Sequence, residues 1–115
     1  MPDARRHSPD PVTQRTTTCA IVAGSGFGSL AEGAGRRLVT AYGAPSAPVR
    51  ELEIGGRAVL FLARHGDALA IPPHRINYRA NAMALKLAGA ETVLALNTVG
   101  TIRAQHAPGT LAVPN

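Results

Sequence analysis

A chain of 115 residues with 45% apolar side chains can build one small core, so one domain is expected and a multidomain assembly within this length is excluded. The net charge of +5 comes almost wholly from Arg, eleven of the twelve basic residues, but these are scattered, and two Phe, two Tyr and no Trp cannot form the aromatic platform of an RNA-reading sheet. The single cysteine, Cys19, excludes an internal disulfide and fits a reducing compartment.

Residues 1–17, "MPDARRHSPDPVTQRTT", hold three Pro and almost nothing apolar, and are expected to form a disordered leader. The ordered part then spans residues 18–115. "TCAIVAGSG" reads as a buried strand, Cys19 included, that ends in a tight Gly-Ser-Gly loop. Its apolar run is too short for the core of a secretory signal or a membrane span, so a cytoplasmic protein without membrane contact is expected. A Gly-rich, irregular stretch follows, and Pro45 and Pro48 mark a loop.

"VRELEIGGRAVLFLARHG" has strand patterning on both sides of Gly55-Gly56, the pair a two-residue hairpin turn requires. Its second strand, Ala58 to Ala63, is apolar on both faces and is expected to be central, with Arg64 and His65 at its carboxyl end. From Ile76 the period changes: Ile76, Ala80, Met83, Ala84 and Leu87 form one helical stripe, preceded by Pro72-Pro73 and closed by Gly89. "ETVLAL" reads as another two-sided apolar strand ending at Asn97 and Thr98, and "TLAV" as a short final one.

Three apolar strands thus end in small or polar groups: Ser25 between Gly24 and Gly26, Arg64-His65, and Asn97-Thr98. Ligands of open α/β sheets collect outside the carboxyl ends of the strands, so if these three strands are parallel neighbours, the groups converge on an anion site. Phosphate suits them. Glycines let backbone N–H groups approach an oxyanion, Ser25 adds a hydroxyl, and Arg64 offers paired charge-assisted bonds, with His65 and Asn97 as further donors.

A plainer reading fits the same residues. Ser25 caps a turn, Arg64 pairs with Asp67 on the surface, Asn97 and Thr98 close a strand, and Asn77 and Asn81 satisfy loop carbonyls. Spacing alone leaves both readings open. Other chemistries fit less well: "GSGFGS" has no acidic residue at the distance a dinucleotide fingerprint needs, His65, His74 and His106 match no zinc spacing, and Ser25 is in no nucleophile elbow. A nucleic-acid-binding module rests on charge alone, which an Arg- and Ala-biased composition explains more simply.

"AGSGF", "YGAPSAP", "FLARHGDALAIPPHRINYRANAMALKLAGAETV", "NTVGTI" and "PGTLAVPN", in unbroken order over about residues 18–115, resemble the amino-terminal half of the purine nucleoside phosphorylase family. The branch most similar is that of the methylthioadenosine and methylthioinosine phosphorylases. The resemblance implies an α/β fold with a mixed, largely parallel central sheet flanked by helices, of which the carboxyl-terminal half is absent. It implies phosphorolysis of a purine nucleoside to free base and a ribose 1-phosphate, in purine or methylthionucleoside salvage, by a homotrimer without cofactor or metal other than phosphate as co-substrate.

By position Ser25, Arg64 and His65 match phosphate ligands of that family, Asn97 falls with them, and Thr98 lines the phosphate and ribose pocket. No residue is assigned to protonate the departing purine; in the family the groups reading the base come from the carboxyl-terminal half. Two departures stand out, Leu69 where relatives usually carry a His that reaches a neighbouring subunit, and Thr101 where they favour Gly or Ser. The competing expectation is a truncated, inactive relative that keeps only the phosphate-binding part, with an uncovered sheet edge.

Overall fold

A computed structural model describes residues 18–24, 27 and 33–115. The 1–17 leader, Ser25 and Gly26 lie outside the described residues.

The elements are β1 (Cys19–Ala23), β2 (Arg50–Ile54), β3 (Arg57–Ala63), α1 (Tyr78–Leu87) and β4 (Thr92–Leu96), with a 3-10 turn at Pro73–Arg75 before the helix. They form one four-stranded sheet in the order β2-β3-β1-β4. β1 pairs parallel with both β3 and β4, and β2 pairs antiparallel with β3. The sheet is therefore mixed and largely parallel, as the resemblance implies.

The hairpin turns where the sequence places it. Gly55 and Gly56 have φ of +59° and +80°, positive at both central positions as the tight primed turn demands. β3 is an inner strand, and its period-2 alternation feeds both faces of the sheet. On one face Ala20 and Leu62 pack with Val49 and with Ala84 and Leu85 of α1; on the other Ala23, Phe61 and Ala63 pack with Ala47.

α1 starts at a side-chain cap. Asn77 Oδ1 accepts from the Ala80 N–H at 3.0 Å while Asn77 Nδ2 donates to the Tyr42 carbonyl at 2.8 Å. It ends at Gly89, φ +101°, where Gly89 N donates to the Lys86 carbonyl and Ala90 N to that of Leu85, a Schellman pair.

Four expectations are corrected. The buried helix face is Ala80, Asn81, Ala84 and Leu85, rotated from the apolar stripe, and Leu87 is exposed. The rotation follows from Asn81, which buries its amide because Oδ1 accepts from Ser46 N at 2.8 Å and Nδ2 donates to Ser46 Oγ at 3.1 Å. β4 is apolar on both sides yet is an edge strand of this sheet, with Val93 and Leu94 half exposed. "TLAV" pairs with no strand among the described residues, and Cys19 is half-buried rather than buried.

The two helix leucines separate the rotated face from the stripe. Leu85→Ala should cost about 2–5 kcal/mol in urea unfolding of the protein, and Leu87→Ala less than about 0.5 kcal/mol. Equal losses would restore the stripe.

Candidate functional site

The in-register pairing of three strands brings their carboxyl ends together. Ala23 lies opposite Ala63 on one side and Leu96 on the other, so the residues that follow, Gly24, Arg64 and Asn97, emerge side by side. The expected convergence is therefore present for the strands, with β1 in the middle. This is the end of the sheet where α/β proteins bind ligands.

Arg64 continues the ladder and then folds over its neighbour. Its backbone N–H donates to the Ala23 carbonyl at 2.9 Å, and its Nη1 reaches across β1 to the Leu96 carbonyl at 3.0 Å. The guanidinium lies against Gly24: a Cβ built there would fall 2.5 Å from Arg64 Nη2 and 3.0 Å from His65 Cδ2. Gly24 is thus small because a side chain crosses it. Phe27 N donates to the Gly24 carbonyl at 3.4 Å.

His65 is oriented by a backbone carbonyl. Its Nδ1–H donates to the Ile71 carbonyl at 2.8 Å, while the Ile71 N–H donates to the His65 carbonyl at 3.0 Å. A neutral ring so bonded is protonated on Nδ1 and keeps Nε2 as an acceptor, and the imidazolium would offer Nε2–H as a donor. The Cδ2 edge of the ring faces Gly24, so Nε2 is the nitrogen turned away from Ile71.

The surface pair between Arg64 and Asp67 does not form. Asp67 is held instead by Arg50, whose Nη1 and Nη2 donate to its two carboxylate oxygens at 2.8 and 2.7 Å. Among the described residues no carboxylate pairs with Arg64, which is anchored to a carbonyl. Sequence reasoning missed Arg50; the available signal was the hairpin itself, which brings the first residue of β2 beside the end of β3.

Burial separates these two arginines from the other described ones. Arg50 is buried and Arg64 half-buried, whereas Arg36, Arg37, Arg57, Arg75, Arg79 and Arg103 are exposed. Composition alone explains the exposed ones and not the two drawn into the sheet end. Asn97 and Thr98 follow the Leu96 carbonyl on exposed backbone. Asn77 follows the plainer reading, donating to the Tyr42 carbonyl as it caps the helix, whereas Asn81 ties the loop through the Ser46 N–H and hydroxyl rather than a carbonyl.

Among the described residues, no group of three or more His, Cys, Asp or Glu is placed to hold a metal ion, and no helix is long and apolar enough to cross a membrane. What the site presents is a guanidinium, an imidazole and a close-approach glycine at one sheet end, a set suited to an oxyanion.

Comparison with known proteins shows the family. The family model described as the phosphorylase superfamily matches residues 18–115. The S-methyl-5'-thioadenosine phosphorylase of Hyperthermus butylicus is 44% identical over 99 residues, covering 84% of this chain and 36% of that protein. The probable S-methyl-5'-thioinosine phosphorylase of Pseudomonas syringae pv. tomato is 47% identical over 103 residues, covering 86% and 42%. The chain so spans about two fifths of the length of these curated relatives. The methylthioadenosine phosphorylase from Schistosoma mansoni in complex with adenine superimposes with a TM-score of 0.71 at 38% identity, over 81% of this chain and 33% of that one.

Gly24→Ala tests the crossing of Arg64 over β1. The displaced group is the far end of a flexible side chain held by one bond to the Leu96 carbonyl, so stability should hold within about 1 kcal/mol, and if the guanidinium binds an oxyanion, apparent affinity for added phosphate should fall by about tenfold. Thermal unfolding with and without phosphate reads both; unchanged phosphate stabilisation would separate Arg64 from the site.

Proposed function

The chain belongs to the phosphorylase superfamily, and from that premise we propose that its sheet-end site holds inorganic phosphate for the phosphorolysis of a purine nucleoside. The observation that supports this most is the convergence of Gly24, Arg64, His65 and the Leu96–Asn97 end of β4. The names of the relatives favour 5′-methylthioinosine or 5′-methylthioadenosine as the nucleoside and nucleoside salvage as the role.

In this reading Arg64 grips the phosphate with the N–H groups not engaged by Leu96, and Gly24 admits it close to the backbone. Ser25 adds a hydroxyl, and Asn97 and Thr98 border the phosphate and ribose. His65 meets the anion through Nε2, taking a hydrogen bond from a protonated phosphate oxygen or, as imidazolium, giving one to a bare oxygen.

Phosphorolysis passes through a ribose with oxocarbenium character. A phosphate fixed beneath that ring stabilises the developing positive charge and supplies the attacking oxygen. The C1′–O bond forms as the C1′–N bond breaks, its electron pair leaves with the purine, and the purine takes up a proton. The products are the free base and a ribose 1-phosphate, here in its 5-methylthio form. The full-length protein acts as a homotrimer in the cytoplasm, with phosphate as co-substrate and no cofactor.

A second reading, anion binding without turnover, is favoured by the exposure of most of β4 and of residues 97–115. One experiment separates the two. In the full-length protein, purine release from a methylthionucleoside should require phosphate, and Arg64→Ala should lower kcat/KM for phosphate by about 100-fold or more. Phosphate binding without release supports the second reading, and phosphate-independent release in Arg64→Ala at the normal rate overturns the first.

A further inference from the structure

Arg50 opens β2, and because β2 runs antiparallel to β3 it lies beside Phe61, next to the end of β3 that delivers Arg64 and His65. Its side chain is only 8% exposed, although it carries a full charge. Three bonds account for that burial: the two to Asp67, and one from Nε to the Gly33 carbonyl at 2.9 Å.

Those bonds reach two different segments. Asp67 belongs to the turn that carries Arg64 and His65, and Gly33 to the return stretch that leads into the bridge of Arg36 with Val49. Among the described residues the turn's other backbone and ring ties are local or run to β1, from Arg64 N to Ala23, Gly66 N to Ala63, Leu69 N to Gly66 and in the reciprocal pair of His65 with Ile71, and one side-chain bond, from Arg64 Nη1 to the Leu96 carbonyl, runs to β4. Leu69 holds a φ of +54°, uncommon for a branched side chain, so the turn needs restraint from outside itself.

The pairing also decides where a negative charge goes. A carboxylate three residues beyond an arginine on a tight turn is a ready partner for it, and an Arg64–Asp67 pair would compete with any anion for the same N–H groups. Arg50 holds both carboxylate oxygens and removes that competitor.

We infer that Arg50 is a positioning residue for the anion site: it fixes the Arg64–His65 turn against the Gly33 return and sequesters the carboxylate that would otherwise neutralise Arg64. The functional half of this inference rests on the phosphate reading above, and the positioning half on geometry alone.

The test uses Arg50→Gln, Asp67→Asn and the double variant in the full-length protein. Arg50→Gln should weaken phosphate binding about tenfold, leave the KM for nucleoside near normal, and speed hydrogen exchange at the Arg64, Gly66 and Leu69 amides. Adding Asp67→Asn to Arg50→Gln should restore part of the phosphate affinity, because the released competitor is gone. A purely structural role predicts no such rescue.

Unchanged phosphate affinity in Arg50→Gln, or no rescue in the double variant, overturns the sequestering role. If Arg50→Gln does not fold, Asp67→Asn alone must still speed exchange at Gly66 and Leu69, and unaltered exchange overturns positioning. Should the unaltered protein bind no phosphate, the functional reading fails, while the exchange comparison still decides whether Arg50 positions the turn.

Discussion

The structure depends on the in-register parallel pairing of β1 with a strand on each side. Ala23 has Ala63 and Leu96 as simultaneous partners, and the three backbones end level with one another. That alignment is possible because β1 is narrow where it must be: Ala20 and Ala23 are fully buried and present little bulk to either face. Ala84 matches them on the helix and packs, with Leu85, against Ala20 and Leu62. A one-residue slip would exchange the two faces of β1 and carry Gly24 out from beneath Arg64.

From that alignment follows a charge arrangement that is unusual for a surface turn. Arg64 is half-buried, bonded to a backbone carbonyl rather than to a carboxylate, and laid over a glycine. The nearest candidate counter-charge in sequence, Asp67, is held by Arg50. Partial desolvation makes an unneutralised guanidinium a stronger attractor for an oxyanion than the same group in water. The ion pair beside the site therefore matters less for the strength of its own attraction than for which cation it leaves unpaired.

Much of this was legible in the sequence, and what was not has a common cause. Strand positions, the Gly55-Gly56 turn and the Gly89 stop are local signals that a few neighbouring residues determine, and the structure places them as read. The identity of Asp67's partner is not local; it depends on the hairpin register that brings Arg50 level with Phe61. The helix face was misread for the same reason. Hydropathy favours burying Leu87, but a bond from Ser46, 35 residues away, pulls Asn81 inward and turns the helix. "TLAV" has strand-like side chains, yet a strand needs a partner, which no propensity supplies.

Arginine shows how far composition can be pressed. Read as a total, eleven Arg in 115 residues indicate only a basic chain, which compositional bias explains more simply than a nucleic-acid surface does. Read by burial, the described arginines divide into exposed ones and two that the sheet end draws in. A bias in composition scatters charge over the surface, since ordering and desolvating a guanidinium costs free energy unless specific acceptors offset it. Among the described residues Arg50 has a carboxylate and a carbonyl as acceptors, and Arg64 has one carbonyl. The arginine with the incomplete set is the one at the confluence of three strands, which is where an incoming anion would complete it.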